Sequence, residues 1–234
     1  MADDTLFDLL TWMSPTWPIG AFAHSGGLEW AVEQGFLTSR ANTTEWLATL
    51  LEHGPLHNDV VLFVHAWRAA YAGDAERLRK VAELALAAQT GFERRLEATA
   101  QGAAFRRIAS DVVPPRIAEA VGLLAVIPDA DLTYPIAAAT LFATQGIALH
   151  QALIAFLHGA LANLVSAAQR LVPLGQTDGQ RVLRDLRPAI LATVDAACEL
   201  PEDGDPFDAF AGAALMAELG CMAHETQYTR LFRT

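Results

Sequence analysis

Three arrangements in this sequence bring together residue types that can do chemistry. His24 and Ser25 set a base beside a hydroxyl in an opening loop. A nucleophilic serine needs a ring nitrogen within hydrogen-bond reach and a carboxylate orienting the ring. Neighbouring residues seldom present their side chains to one another in that way, and no orienting carboxylate can be identified, so a hydrolytic site is not indicated. Gly26-Gly27 lacks both the spacing and the Lys-Ser/Thr of a phosphate loop.

The seven histidines offer a metal reading. His53 and His57 are separated by Gly54-Pro55 and so do not share a helical face. His150 and His158 fall about 80° apart on one helix and have no carboxylate nearby in sequence. Cys221 and His224 stand three apart on one predicted turn. Two ligands make at most a weak surface site, whereas a structural zinc takes four. No resident metal or cofactor is expected, with Cys221 and His224 the weak candidates. A metal-dependent α-helical enzyme using His150 and His158, or a small-ligand sensor with a pocket in the apolar core, is the competing reading.

The elements that must position these residues read as helices throughout. Residues 132–169 contain no Asp, Glu, Lys or Arg, although the chain's net charge is -11. From Ala148 onward the pattern is helical and apolar nearly all round, which predicts the central helix of a larger core. It is long enough for a membrane span, but His150, Gln151, His158 and Asn163 oppose that, and no membrane association is expected. At about 100° per residue, Gln151, Ala155, His158, Ala162 and Gln169 form one polar, small-residue stripe on it. The stripe predicts either polar groups satisfied inside the core or a seam for contact or passage.

Punctuation by Gly, Pro and capping residues predicts roughly ten helices in one all-α domain, residues 1–234. Expected helices span Thr5 to Met13 and Gly26 to Gln34. Asn42 with Glu45 and Thr90 with Glu93 read as capping boxes, and Thr177 with Gln180 as a third. Asp59 to Tyr71 reads as helical, and Asp74 as a cap. Val113-Pro-Pro115 is expected to break the chain, and Asp205-Pro206 to start a last helix reaching Ala223.

Hydrophobic residues make up 53% and charged residues 18%, an apolar balance that points to covered interfaces. The acidic charge excludes nucleic acid as a partner class. Two cysteines make no disulfide framework, and the N-terminus lacks the basic region of a signal peptide, so a cytoplasmic setting is expected.

Three stretches stand apart. The loop Ser14-Pro15…Pro18-x-Gly20-x-Phe22-x-x-Ser25-x-Gly27-Leu28-Glu29 is shaped by fixed prolines and permissive glycines. Arg170-Leu-Val-Pro-Leu-Gly-Gln176 ends the apolar helix. The closing His224-Glu225…Arg230-Leu231-Phe232 carries aromatic and arginine side chains where chain ends are usually polar and frayed. In this order the three resemble the urease accessory protein UreF family.

That resemblance implies an all-α, non-catalytic homodimer. It would link a UreD/UreH-type accessory protein to the GTPase UreG and so deliver nickel to apo-urease, the metal handled transiently and passing through an internal tunnel. It implies that the tail, residues 224–234, docks on the UreD-like partner through Tyr228, Arg230, Leu231, Phe232 and Arg233. It leaves Glu29, Gln151, His158, Gln169, Arg170 and Gln176 as candidates for the GTPase side or the tunnel. The tail is expected to be loosely held in the free protein, because ordering it alone costs backbone entropy.

Overall fold

Alanine-rich apolar segments cut by Gly and Pro can bury themselves only by packing helix on helix. The computed structural model describes residues 2–112 and 117–234. Among these it shows eleven α-helices, two short 3₁₀ turns and no strand, a single all-α domain. In chain order they are α1 (Ala2–Trp12), α2 (Leu28–Glu33), α3 (Arg40–His53), α4 (Pro55–Tyr71) and α5 (Ala75–Ala87). Then come α6 (Phe92–Val112), α7 (Ile117–Leu124), α8 (Tyr134–Thr144), α9 (Leu149–Leu171), α10 (Gln176–Cys198) and α11 (Leu215–His224). The expected break at Val113-Pro-Pro115 lies outside the described residues.

The core is organised where α4 crosses α8. Every residue from Pro135 to Ala143 of α8 is buried, and Ala137, Ala138 and Ala139 let the α4 backbone come close. Phe63 of α4 packs against Phe142 at 6.0 Å and Phe156 at 4.9 Å, and Trp12 stacks on Phe142 at 5.8 Å. Gly102 lets α6 pass the chain entering α8, since a Cβ there would lie 2.1 Å from the Leu132 carbonyl oxygen.

The uncharged stretch thus folds as two helices with different fates. α8 is enclosed, whereas α9 buries Leu153, Phe156, Leu157, Leu161 and Val165 and turns Gln151 and His158 to the surface. The expected buried central helix is covered on one side only, and the reading of its stripe as polar groups satisfied inside the core is corrected. Its polar, small-residue stripe faces outward because the larger apolar side chains take the positions against α10, α4 and α2. α9 is long and apolar enough to cross a membrane, but those helices already cover its apolar face.

Several helix starts differ from the expected caps. Ser39, not Asn42, caps α3, and Asn42 closes the box from the third position. Asp74 caps α5 as expected, its carboxylate accepting from the Arg77 amide. Thr177 lies inside α10, which begins after Gly175 and carries Pro188 within it. Asp205 caps only the short 3₁₀ turn Pro206–Ala209. An extended segment then carries the chain past α3 and α4: Asn58 bonds Ala211 at both amide and carbonyl, and the His53 carbonyl accepts from Ala213. α11 starts only at Leu215.

Candidate functional site: the junction of loop, turn and tail

The opening loop owes its path to three left-handed glycines, of which Gly27 (φ +84) is the most constrained. A Cβ there would stand 2.9 Å from Cys221 Sγ and 3.0 Å from its backbone nitrogen, so the loop rests directly on α11. From the other side α9 pins it. Asn163 donates to the Ala21 carbonyl at 2.9 Å and Arg170 to the Phe22 carbonyl at 2.9 Å.

The chain's last residues close over this loop as an extended strap. The Arg233 amide donates to the Ala23 carbonyl (2.8 Å), and the Ser25 amide to the Thr234 carbonyl (2.7 Å). Ser25 Oγ donates to the same Thr234 oxygen at 3.1 Å, and His24 Nδ1 lies 2.5 Å from Thr234 Oγ1. His24 and Ser25 therefore hold the strap instead of activating each other. Burial holds the His24 ring below the usual imidazole range, with Glu97 opposing.

Glu29 is the hub. Its carboxylate accepts the consecutive amides of Leu231 (2.5 Å) and Phe232 (2.9 Å), and Oε2 faces His224 Nε2 at 3.1 Å. From α6, Glu93 places Oε2 at 2.6 Å from His224 Nδ1 and accepts from Arg230 Nη1 at 2.7 Å through Oε1. Arg170 sits 4.3 Å over the Phe232 ring, a cation–π contact that ties the helix-ending turn to the strap. Glu225 caps α6 by accepting from the Phe92 and Glu93 amides, the work expected of Thr90.

Beneath the hub, Arg94 lies between Asp59 (3.8 Å) and Glu97 (3.6 Å). Burial pulls the Arg94 guanidinium down, but Glu97 and Asp59 more than offset this and leave it raised. Burial pushes the Asp59 carboxyl up to about 6 despite Arg94.

These contacts correct several expectations. The tail is not loosely held: Phe232 and Thr234 are buried against the chain's own loop, so Phe232 is not free for a partner. Tyr228, Arg230, Leu231 and Arg233 remain exposed. Glu29, a candidate for the GTPase side or the tunnel, is buried against the strap and His224 and lies off the outer surface. Gln151 and His158 lie on the outer face of α9. Gln169 reaches Gln176 at 3.4 Å beside the turn, so an enclosed passage along this stripe would need a second surface over it. Cys221 and His224 share the inner side of α11 and make no surface site. Burial pushes the Cys221 thiol up to about 11, and both His224 ring nitrogens face carboxylates. Among the described residues no group of three or more His, Cys, Asp or Glu is arranged to hold a metal ion. His150 pairs with Asp195 at 3.1 Å on the surface.

Glu93, Arg94 and Glu97 are the residues of this junction that sequence reasoning missed. Glu93, Glu97 and Gln101 make an i, i+4, i+8 polar row on α6 that faces inward, and Arg94 stands beside it.

The UreF family model matches residues 37–187, which take in the Arg170–Gln176 turn. The urease accessory protein UreF of Rhodopseudomonas palustris (strain HaA2) is 46% identical over 231 residues, covering 98% of this chain and 94% of the relative. Its namesake from Bradyrhizobium sp. (strain BTAi1 / ATCC BAA-1182) is 44% identical over 230 residues, covering 98% of this chain and 92% of the relative. Both alignments extend over the opening loop that the family model leaves out. With its all-α fold and its loop, turn and tail joined at one place, this chain belongs to the UreF family of urease accessory proteins.

Proposed function

We propose that the chain is a scaffold for nickel delivery to apo-urease, joining a UreD/UreH-type accessory protein to a UreG-type GTPase in the cytoplasm. The observation that carries this reading is the convergence of loop, turn and tail on Glu29, Glu93 and Arg170. The junction holds no nucleophile with a free base, and its charged groups are spent on holding loop and strap together. What it produces is a shaped surface. On the strap, Tyr228 is fully exposed and Leu231 is 66% exposed, each on a backbone that is already ordered. Next to them α11 turns Leu215, Met216, Leu219 and Met222 outward. Ordered aromatic and aliphatic groups rimmed by Arg230 and Arg233 suit a protein partner, here the UreD-like one.

A homodimer fits the outer face of α9. Its small residues Ala155 and Ala162 permit close helix approach, and Phe22 and Phe7 stand exposed nearby. Gln151, His158 and Gln169 would then be covered by a second copy, and nickel remains cargo of the assembled complex.

Tyr228→Ala combined with Leu231→Ala should keep the melting temperature and abolish co-purification with the UreD-like protein, with loss of urease activation in cells. Full activation in cells lacking the chain would overturn the reading, and so would undiminished capture by the double variant.

A further inference from the structure

His224 is fully buried between two carboxylates that come from different helices. Its Nδ1 lies 2.6 Å from Glu93 Oε2 and its Nε2 3.1 Å from Glu29 Oε2, with the two Glu side chains only 7% and 9% exposed. An ionised carboxylate only accepts hydrogen bonds, so each of these contacts needs a proton between its atoms. A neutral imidazole supplies one. The second must reside on the ring or on a carboxylate, and the three groups bind and release it as a unit.

We propose that the Glu29–His224–Glu93 bridge is a proton-held catch for the C-terminal strap. The strap stays seated while the bridge carries one proton more than a neutral imidazole, and it loosens when rising pH removes that proton. Loss of the proton leaves a ring lone pair against a carboxylate lone pair with no water to intervene. The strain falls on the strap because the same carboxylates hold it. Glu29 takes the Leu231 and Phe232 amides, and Glu93 takes Arg230.

The other groups around the bridge set its bias. Arg230 from the strap bonds Glu93 directly, and together with Arg94 from α6 it favours ionised carboxylates, which places the extra proton on the ring. Glu97, also on α6, is engaged by Arg94 and lies 3.5 Å from Thr234 Oγ1. Glu225 at the end of α11 is occupied by the Phe92 and Glu93 amides. Cys221, on α11 itself, stays a neutral thiol through the range, its pKa pushed up to about 11. On the loop side, His24 is held neutral by burial, with Arg233 adding to that and Glu97 opposing it. Asp59, pushed up to about 6 by burial, pairs with Arg94 at 3.8 Å and not with the strap, so the bridge is the proton-sensitive element that touches the strap.

The test is amide hydrogen exchange on the full chain, read as protection factors so that the intrinsic pH dependence of exchange is removed. From about pH 6 to about pH 9, protection at Leu231 and Phe232 should fall relative to amides in α8. A drop of about ten- to a hundredfold is expected for one lost charge-assisted hydrogen bond. Glu93→Gln should flatten the response. Its amide N–H₂ donates to Nδ1 of a neutral ring, and its oxygen still accepts from Arg230. Should that variant not fold, His224→Gln offers the same test, because the strap should then show low protection with no pH dependence. Wild-type protection that does not change with pH overturns the catch, and so does a variant that keeps the wild-type slope.

Discussion

Where α4 crosses α8, Phe63, Phe142 and Phe156 fill space with carbon alone; where the strap crosses α2 and α6, Glu29, Glu93 and His224 fill it with charge. Both places exclude water, but they fail differently. Dispersion is non-directional and is lost in proportion to the atoms removed. A buried ionic bridge is directional, and removing one member strands the others without partners. The first region sets how stable the whole domain is. The second sets where eleven residues lie and which side chains they show.

The largest expected effect in this comparison belongs to the apolar crossing. Phe63→Ala should lower unfolding free energy by about 3–5 kcal/mol, from lost transfer energy and the cavity left between Phe142 and Phe156. Urea denaturation would show a lower midpoint with an unchanged slope. A shift below about 1 kcal/mol would mean that the surroundings collapse freely and that the crossing does not dominate stability.

Glu29→Ala should come next, at about 3 kcal/mol. Its signature should be local: the Leu231 and Phe232 amides lose protection while those of α8 keep it. If all amides lose protection together, the junction and the core are one cooperative unit and the contrast between them disappears.

How far these two regions were legible in the sequence follows from the same physics. The apolar crossing is written in composition, because only burial explains an uncharged run beside Val60, Phe63 and Val64 at helical spacing. The outward turn of α9 was legible only in part: the stripe of Gln151, His158 and Gln169 marked the face, but not whether that face meets solvent or is satisfied inside the core. The junction was half legible. Its loop, turn and tail stood out locally, but their meeting depends on contacts such as Glu29 with Phe232, 203 positions apart. The α6 row was missed because amphipathic reasoning assigns charge to solvent, and here Glu93 and Glu97 are the buried face. Phe232 and Thr234 point inward while Leu231 and Arg233 point outward, the alternation of an extended strand. That alternation predicts docking but not the surface docked upon.

Asp59 probes the charged region from beneath. Its folded-state pKa is raised from 3.8 to about 6, so the native protein holds a proton that the unfolded chain releases. The stabilisation from that proton is complete below the unfolded value and is lost as pH rises through about 6. At neutral pH the buried carboxylate is therefore a net cost, only partly offset by Arg94 at 3.8 Å. Asp59→Asn should leave stability unchanged near pH 4 and raise it by about 1–3 kcal/mol near pH 7. Urea midpoints at the two pH values give the comparison. A loss at neutral pH would show that the Arg94 pair outweighs desolvation.

The smallest effect on stability should come from the outer face of α9, which belongs to neither region. His158 is exposed there, Ala155 and Ala162 are partly exposed, and neighbouring helices cover only the opposite face. His158→Leu removes no buried partner, and Ala155→Arg places a long side chain at a position that solvent reaches. Each should move the unfolding free energy by no more than about 0.5 kcal/mol, as surface changes do. Association should respond very differently. If a second copy covers this stripe, an arginine at Ala155 prevents the close helix approach that small residues allow. The variant should then run as a monomer in light scattering under conditions where the unmodified chain is a dimer. His158→Leu, near in size and apolar, should keep the dimer. An Ala155→Arg protein that still dimerises would move the self-contact elsewhere, and one that melts early would show that α9 is more deeply packed than its exposed stripe indicates.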